Sequence, residues 1–143
     1  MHPTMLRCAV LGFVCALAVA AAGPAKADVV NLKATMNASS EVPPNSSKGT
    51  GTFSATYDTS SKKLSWKGSY ADLSGPATAA HFHSGEPGKN GPVAVPITPN
   101  TSPFEGSATL TDAQATELLA GKWYVNVHTA ENKGGEIRGQ VTK

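Results

Sequence analysis

The chain has 143 residues, 12 Lys and Arg against 10 Asp and Glu, a formal net charge of +2 and only two cysteines. That length suits one ordinary domain, and so balanced a charge excludes the basic footprint of a nucleic-acid binder.

The N-terminus opens with His2 and Arg7, continues as an apolar run from Cys8 through Ala22, and reaches Ala25-Lys26-Ala27. A basic start, an apolar middle and a small-x-small ending predict a secretory signal peptide over residues 1–27, cleaved after Ala27. The run is too short and too rich in Ala for a permanent membrane span, and no later stretch is apolar enough to be one. The expected destination is the periplasm or the cell exterior. Cleavage would remove both cysteines, Cys8 and Cys15, so the mature domain, residues 28–143, folds without a disulfide in a compartment that would permit one. It would also remove Arg7 and Lys26, two of the 12 basic residues, and leave ten basic against ten acidic side chains.

From Asp28 onward the pattern is that of short strands. Val29 to Met36 alternates and is β-branched, which predicts a first strand, and Asn37 to Ser47, with Pro43-Pro44, predicts a loop. Thr50 to Tyr57 and Lys63 to Tyr70 flank the turn Asp58-Thr59-Ser60-Ser61 and read as a hairpin whose Phe53 and Trp66 face the core. After the break at Leu73-Ser74-Gly75-Pro76 comes a strand with Ala80-His81-Phe82-His83-Ser84, then a loop dense in Gly and Pro that ends at Pro92. Val93 to Ile97 is a short strand whose Pro96 suits a sheet edge, and Phe104 to Leu110 is another. Thr111 and Gln114 form a capping box before a short helix, with Ala115, Leu118 and Leu119 on one side and Gly121 as a left-handed stop. Trp123 to Thr129 and Glu136 to Val141 complete the set. Strands at this spacing, one short helix and no βαβ rhythm predict an all-β fold, an antiparallel Greek-key β-sandwich.

With His2 in the signal segment, the mature chain keeps His81, His83 and His128. Residues two apart on a strand share a face, so His81 and His83 point the same way while Ala80 and Phe82 point inward. In the later strand Trp123, Val125 and Val127 face the core and Tyr124, Asn126 and His128 face outward. Arg138 shares the outer face with His128 if the last two strands pair. Three neutral imidazoles converging on one spot form a site for copper or zinc; three separate solvated histidines are the plainer alternative. Glu41, Asn126 and Glu136 are the candidates to hold the ligating rings from behind.

Glu41-Val42-Pro43-Pro44, Ala80-His81-Phe82-His83-Ser84-Gly85, Asn90-Gly91-Pro92-Val93, Leu119-Ala120-Gly121, Tyr124-Val125-Asn126-Val127-His128-Thr129 and Gly134-Gly135-Glu136-Ile137-Arg138-Gly139-Gln140 resemble, in order, the blocks of the CHRD domain. The resemblance implies a β-sandwich and says less about activity, because in chordin such domains belong to an extracellular binder of growth factors. A looser similarity to copper-zinc superoxide dismutase implies a copper site at His81, His83 and His128, with Arg138 as a catalytic residue steering a small anion such as superoxide. This sequence departs from that family in having no fourth histidine, no zinc-binding cluster and no disulfide. The expected function is an exported three-histidine metal-binding domain, with copper leading and zinc second, and with dismutase-like redox activity as an extension. The alternative is a non-enzymatic binding or adhesion module for a protein or cell-envelope partner.

Overall fold

β1 (Val29–Asn37) and β2 (Thr50–Asp58) bury every second residue along most of their length, because a strand sends alternate side chains to opposite faces. They are seen in a computed structural model that describes residue 23 and residues 27–143. The expected signal peptide with its two cysteines lies outside the described residues, apart from Gly23 and Ala27. β2 pairs with β3 (Lys63–Ala71) as the predicted hairpin. The Asp58 carboxylate closes its turn by accepting from the backbone N–H groups of Ser60 and Ser61 at 2.8 and 2.9 Å.

β4 (Ala77–Ser84), β5 (Val93–Pro96), β6 (Phe104–Thr109), helix α1 (Asp112–Leu119), β7 (Trp123–Thr129) and β8 (Ile137–Gln140) follow. The strands form one antiparallel sheet in the order β5-β4-β7-β8-β1-β2-β3-β6. Pro96 lies in β5 at one edge of the sheet, where its missing N–H breaks no ladder. β7 returns to pair with β4 instead of continuing beside β6, which is the Greek-key step. α1 makes that crossover and carries the predicted capping box: Thr111 Oγ1 accepts from Gln114 N–H, and Gln114 Oε1 accepts from Thr111 N–H.

Although β3 and β4 sit near opposite ends of the strand order, their side chains meet. The Phe82 ring on β4 lies 5.0 Å from Trp66 on β3 and 5.4 Å from Phe53 on β2, both edge-on. The sheet therefore curls so that its halves face each other over one core, as a sandwich does. Phe82, Trp123, Val125 and Val127 at its centre are completely buried.

The expected outward face of β7 and β8 is not solvent. Tyr124, Asn126 and Arg138 are at most 3% exposed and Glu136 is fully buried. The reason is a cover made by two loops. Asn45 Nδ2 donates to the Glu136 carbonyl at 3.0 Å, and Arg138 donates to the Lys89 carbonyl at 2.7 Å. Asn90 Nδ2 donates to the Val42 carbonyl at 2.8 Å and ties one loop to the other.

Candidate metal centre

β4 and β7 are neighbours in the sheet, with His81 opposite Asn126 and Ala79 opposite His128. Strand alternation keeps His81 and His83 on one face, and the antiparallel register sets His128 diagonally across from His81, within reach of long side chains. The ring centroids lie 5.0 Å apart for His81 and His128, 5.4 Å for His81 and His83, and 6.2 Å for His83 and His128. One ring nitrogen from each residue lies within 4.8 Å of the other two. The closest pair, His81 Nδ1 and His128 Nε2, is 3.1 Å apart. Two nitrogens bound to one zinc at about 2.0–2.1 Å would stand roughly 3 Å apart, so this pair needs little movement to share an ion.

Backbone carbonyls decide the tautomers. A carbonyl can only accept, so His83 Nδ1–H donates to the Gly91 oxygen and His128 Nδ1–H to the Lys133 oxygen, each at 2.9 Å. In the neutral rings Nε2 is then the lone-pair nitrogen. His128 Nε2 accepts from His81, while His83 Nε2 is buried and has no hydrogen-bond partner. An orphaned buried acceptor is costly unless something electropositive reaches it, and a cation is such a group. Burial first, and then the neighbouring imidazoles, lower the pKa of His81. Burial is also the leading cause for His83, against the Gly91 hydrogen bond that raises it. Both rings are therefore held neutral and ready to ligate near neutral pH.

His83 is also held through its face. Its ring stacks on Tyr124 at 4.8 Å with planes 2° apart, and the Arg138 guanidinium lies 3.4 Å above the same tyrosine. Tyr124 Oη accepts from Gly91 N–H, so the residue that orients His83 is itself held from the loop between β4 and β5. Arg138 shares the outer face with His128, as expected, but it does not present a charge to solvent. It is 2% exposed and its N–H groups go to Asn90 Oδ1 and the Glu86 and Lys89 carbonyls. Its place is that of a clamp on the 85–91 loop. Sequence reasoning did not single out Tyr124, although its position on the same face as Asn126 and His128 was a sufficient signal.

The three expected supporting residues fall in two places. Asn126 lies opposite His81 in the β4–β7 register, and its Nδ2 and Glu41 Oε1 lie against the same side of Gly135. Glu41 is 5% exposed, and burial, opposed by Arg138, raises its pKa to about 7. Gly135 takes a φ of +130° against it, where an added Cβ would collide with Glu41 Oε1. Glu136 is directed elsewhere and accepts from Ser47, Ser74 and Thr129.

No curated protein and no solved structure matches the chain. The profile of the CHRD domain matches residues 32–141, from the middle of β1 to the residue after β8, and takes in His81, His83 and His128. A match over that much of the 143 residues decides the assignment: the chain belongs to the CHRD domain family.

Proposed function

We propose that this chain is an exported metal-binding domain that holds one copper ion through His81, His83 and His128. One observation carries the reading: imidazole nitrogens from both halves of a strand pair lie within 4.8 Å of one another, and one of them is a buried lone pair with no partner. Copper is preferred over zinc because an all-imidazole set favours the divalent ion highest in the affinity order. His83 and His128 would ligate through Nε2, since their Nδ1–H groups are committed to carbonyls. His81 would ligate through Nδ1 once its proton moves to Nε2. Copper bound there would supply one-electron exchange with a small oxygen species such as superoxide.

The signal-like N-terminus supports export. Among the described residues no helix is long and apolar enough to cross a membrane.

Residues 28–143, purified without a metal-binding tag, should take up one copper per chain, and should bind zinc more weakly under the same conditions. His83→Ala should lower copper affinity at least about 100-fold, because it removes a ligand outright. Stoichiometric copper that survives both His81→Ala and His83→Ala would refute the site. A protein that takes up no copper and instead binds an envelope partner would be the adhesion module.

A further inference from the structure

We infer that the side-chain oxygen of Asn126 is a fourth, protein-derived ligand of this centre, aimed by Glu41. The inference rests on the three-histidine reading and adds a residue to it.

Asn126 lies opposite His81 in the β4–β7 register and two residues before His128, on the same face of β7. It is therefore flanked by candidate ligands across the ladder and along its own strand. Its side chain is 2% exposed and its Oδ1 is buried with no hydrogen-bond partner. An amide oxygen removed from water and left without a donor costs free energy comparable to a lost hydrogen bond.

The neighbouring atom explains why it stays unpaired. The Asn126 side chain is near enough to the His83 ring to influence it, yet neither Asn126 Oδ1 nor His83 Nε2 makes a hydrogen bond. The His83 Nδ1–H is already donated to Gly91, so its buried Nε2 has no hydrogen to offer. Two buried acceptors, on adjacent strands, are thus left without a donor. A cation that draws on both lone pairs would satisfy both acceptors at once.

Glu41 sets which end of the amide points at the cluster. Its carboxylate and the Asn126 Nδ2 both crowd the same face of Gly135, so the N–H₂ end lies on the Glu41 side. With Nδ2 beside Glu41, Oδ1 lies at the other end of the amide, where it is buried and without a partner. Glu41 is thus the buried group behind the amide, in the place from which ligating side chains are ordinarily oriented. Three imidazole nitrogens and one amide oxygen make a mixed N,O set of the kind that suits divalent copper.

The test uses the copper-loaded domain grown with asparagine labelled with ¹³C at its side-chain carbonyl, read by electron–nuclear double resonance. A ¹³C coupling to copper is expected in the wild type and should vanish in Asn126→Leu, with copper affinity lowered about 10–100-fold. Asn126→Asp keeps the shape and an oxygen donor, so it should retain copper even if the leucine variant folds poorly. Glu41→Gln, whose amide can also present an acceptor to Nδ2, should keep the coupling. One copper per chain with no ¹³C coupling in the wild type would overturn ligation by Asn126 and leave the histidine site standing. A wild-type domain that takes up no copper would overturn the histidine site and this inference with it.

Discussion

Two carboxylates lie under the cover of the same sheet face, and the fold treats them in opposite ways. Glu136 is fully buried and accepts from the Ser47 hydroxyl at 2.6 Å, the Ser74 backbone N–H at 2.6 Å, the Ser74 hydroxyl at 2.7 Å and the Thr129 hydroxyl. Burial raises its pKa, but these donors outweigh burial and bring it down to about 2. Glu41 is almost as buried, its Oε1 has no partner, and burial wins over the attraction of Arg138, so its pKa rises to about 7. Gly135, pressed against Glu41, is the residue next to Glu136, so the contrast is produced within a few ångströms of chain. One carboxylate has every donor it needs and joins β8 to two distant loops. The other is left short of donors beside the residue that faces the histidines. Saturated hydrogen bonding is the mark of a structural acid, and the deficit at Glu41 is the feature to which the proposed metal site would give a role.

The largest effect should come from removing the saturated group. Glu136→Ala strands the donors of Ser47, Ser74 and Thr129 in a buried space and should destabilise the domain by roughly 3–4 kcal/mol. Urea unfolding at neutral pH measures it, and a loss below about 1 kcal/mol would mean that the loops satisfy those donors in another way. Glu136→Gln, which retains one acceptor oxygen, should lie between.

The acids should also be separable by pH, with opposite signs. Glu136 has a folded pKa below its ordinary value of 4.5, so its stabilisation is complete above that value and disappears as pH falls toward about 2. Glu41 has a folded pKa above 4.5, so the native state prefers it protonated and loses stability as pH rises from 4.5 through about 7. Glu41→Gln should therefore match the wild type near pH 4 and exceed it by about 2 kcal/mol at pH 8. The guanidinium of Arg138 keeps its carbonyl and amide acceptors in that variant, so the loss of its charged neighbour offsets only part of the gain. Equal stability of the two proteins at pH 8 would show that Glu41 ionises at its ordinary value and is not short of donors.

The core could be read from periodicity and the cover could not. Alternation in β1, β2 and β7 predicts which residues meet Phe82 and Trp66, and the Thr111–Gln114 box predicts the helix start, because both depend on neighbours within a few residues. The pairing of His81 and His83 with His128 followed from the same alternation once β4 and β7 were neighbours. The outer face misled for a physical reason: Asn126, Glu136 and Arg138 are polar, and polar residues alternating with apolar ones ordinarily face water. Here their partners are loop groups far along the chain, Glu136 with Ser47 and Ser74, Arg138 with Glu86, Lys89 and Asn90. Such contacts carry no period, so nothing in the pattern distinguishes a solvated polar face from one roofed by a loop.

The smallest effect tests how that roof bears on the histidines. Tyr124→Phe leaves the ring that stacks on His83 and supports Arg138, and removes only the oxygen that accepts from Gly91 N–H at 3.2 Å. Stability should fall by about 1 kcal/mol, the ordinary worth of one partly buried hydrogen bond. Because Gly91 also supplies the carbonyl that fixes His83, the loss should be local: the Gly91 amide should exchange with solvent faster, by roughly the factor that 1 kcal/mol implies, while amides of β1 and β2 stay unchanged. Copper affinity should change by no more than about threefold, since the lone pair at His83 Nε2 depends on the Gly91 carbonyl and not on the tyrosine oxygen. A tenfold loss of affinity with unchanged exchange at Gly91 would instead place the tyrosine hydroxyl in the metal site itself, and would move the boundary between the structural and functional halves of this face from Asn126 to Tyr124.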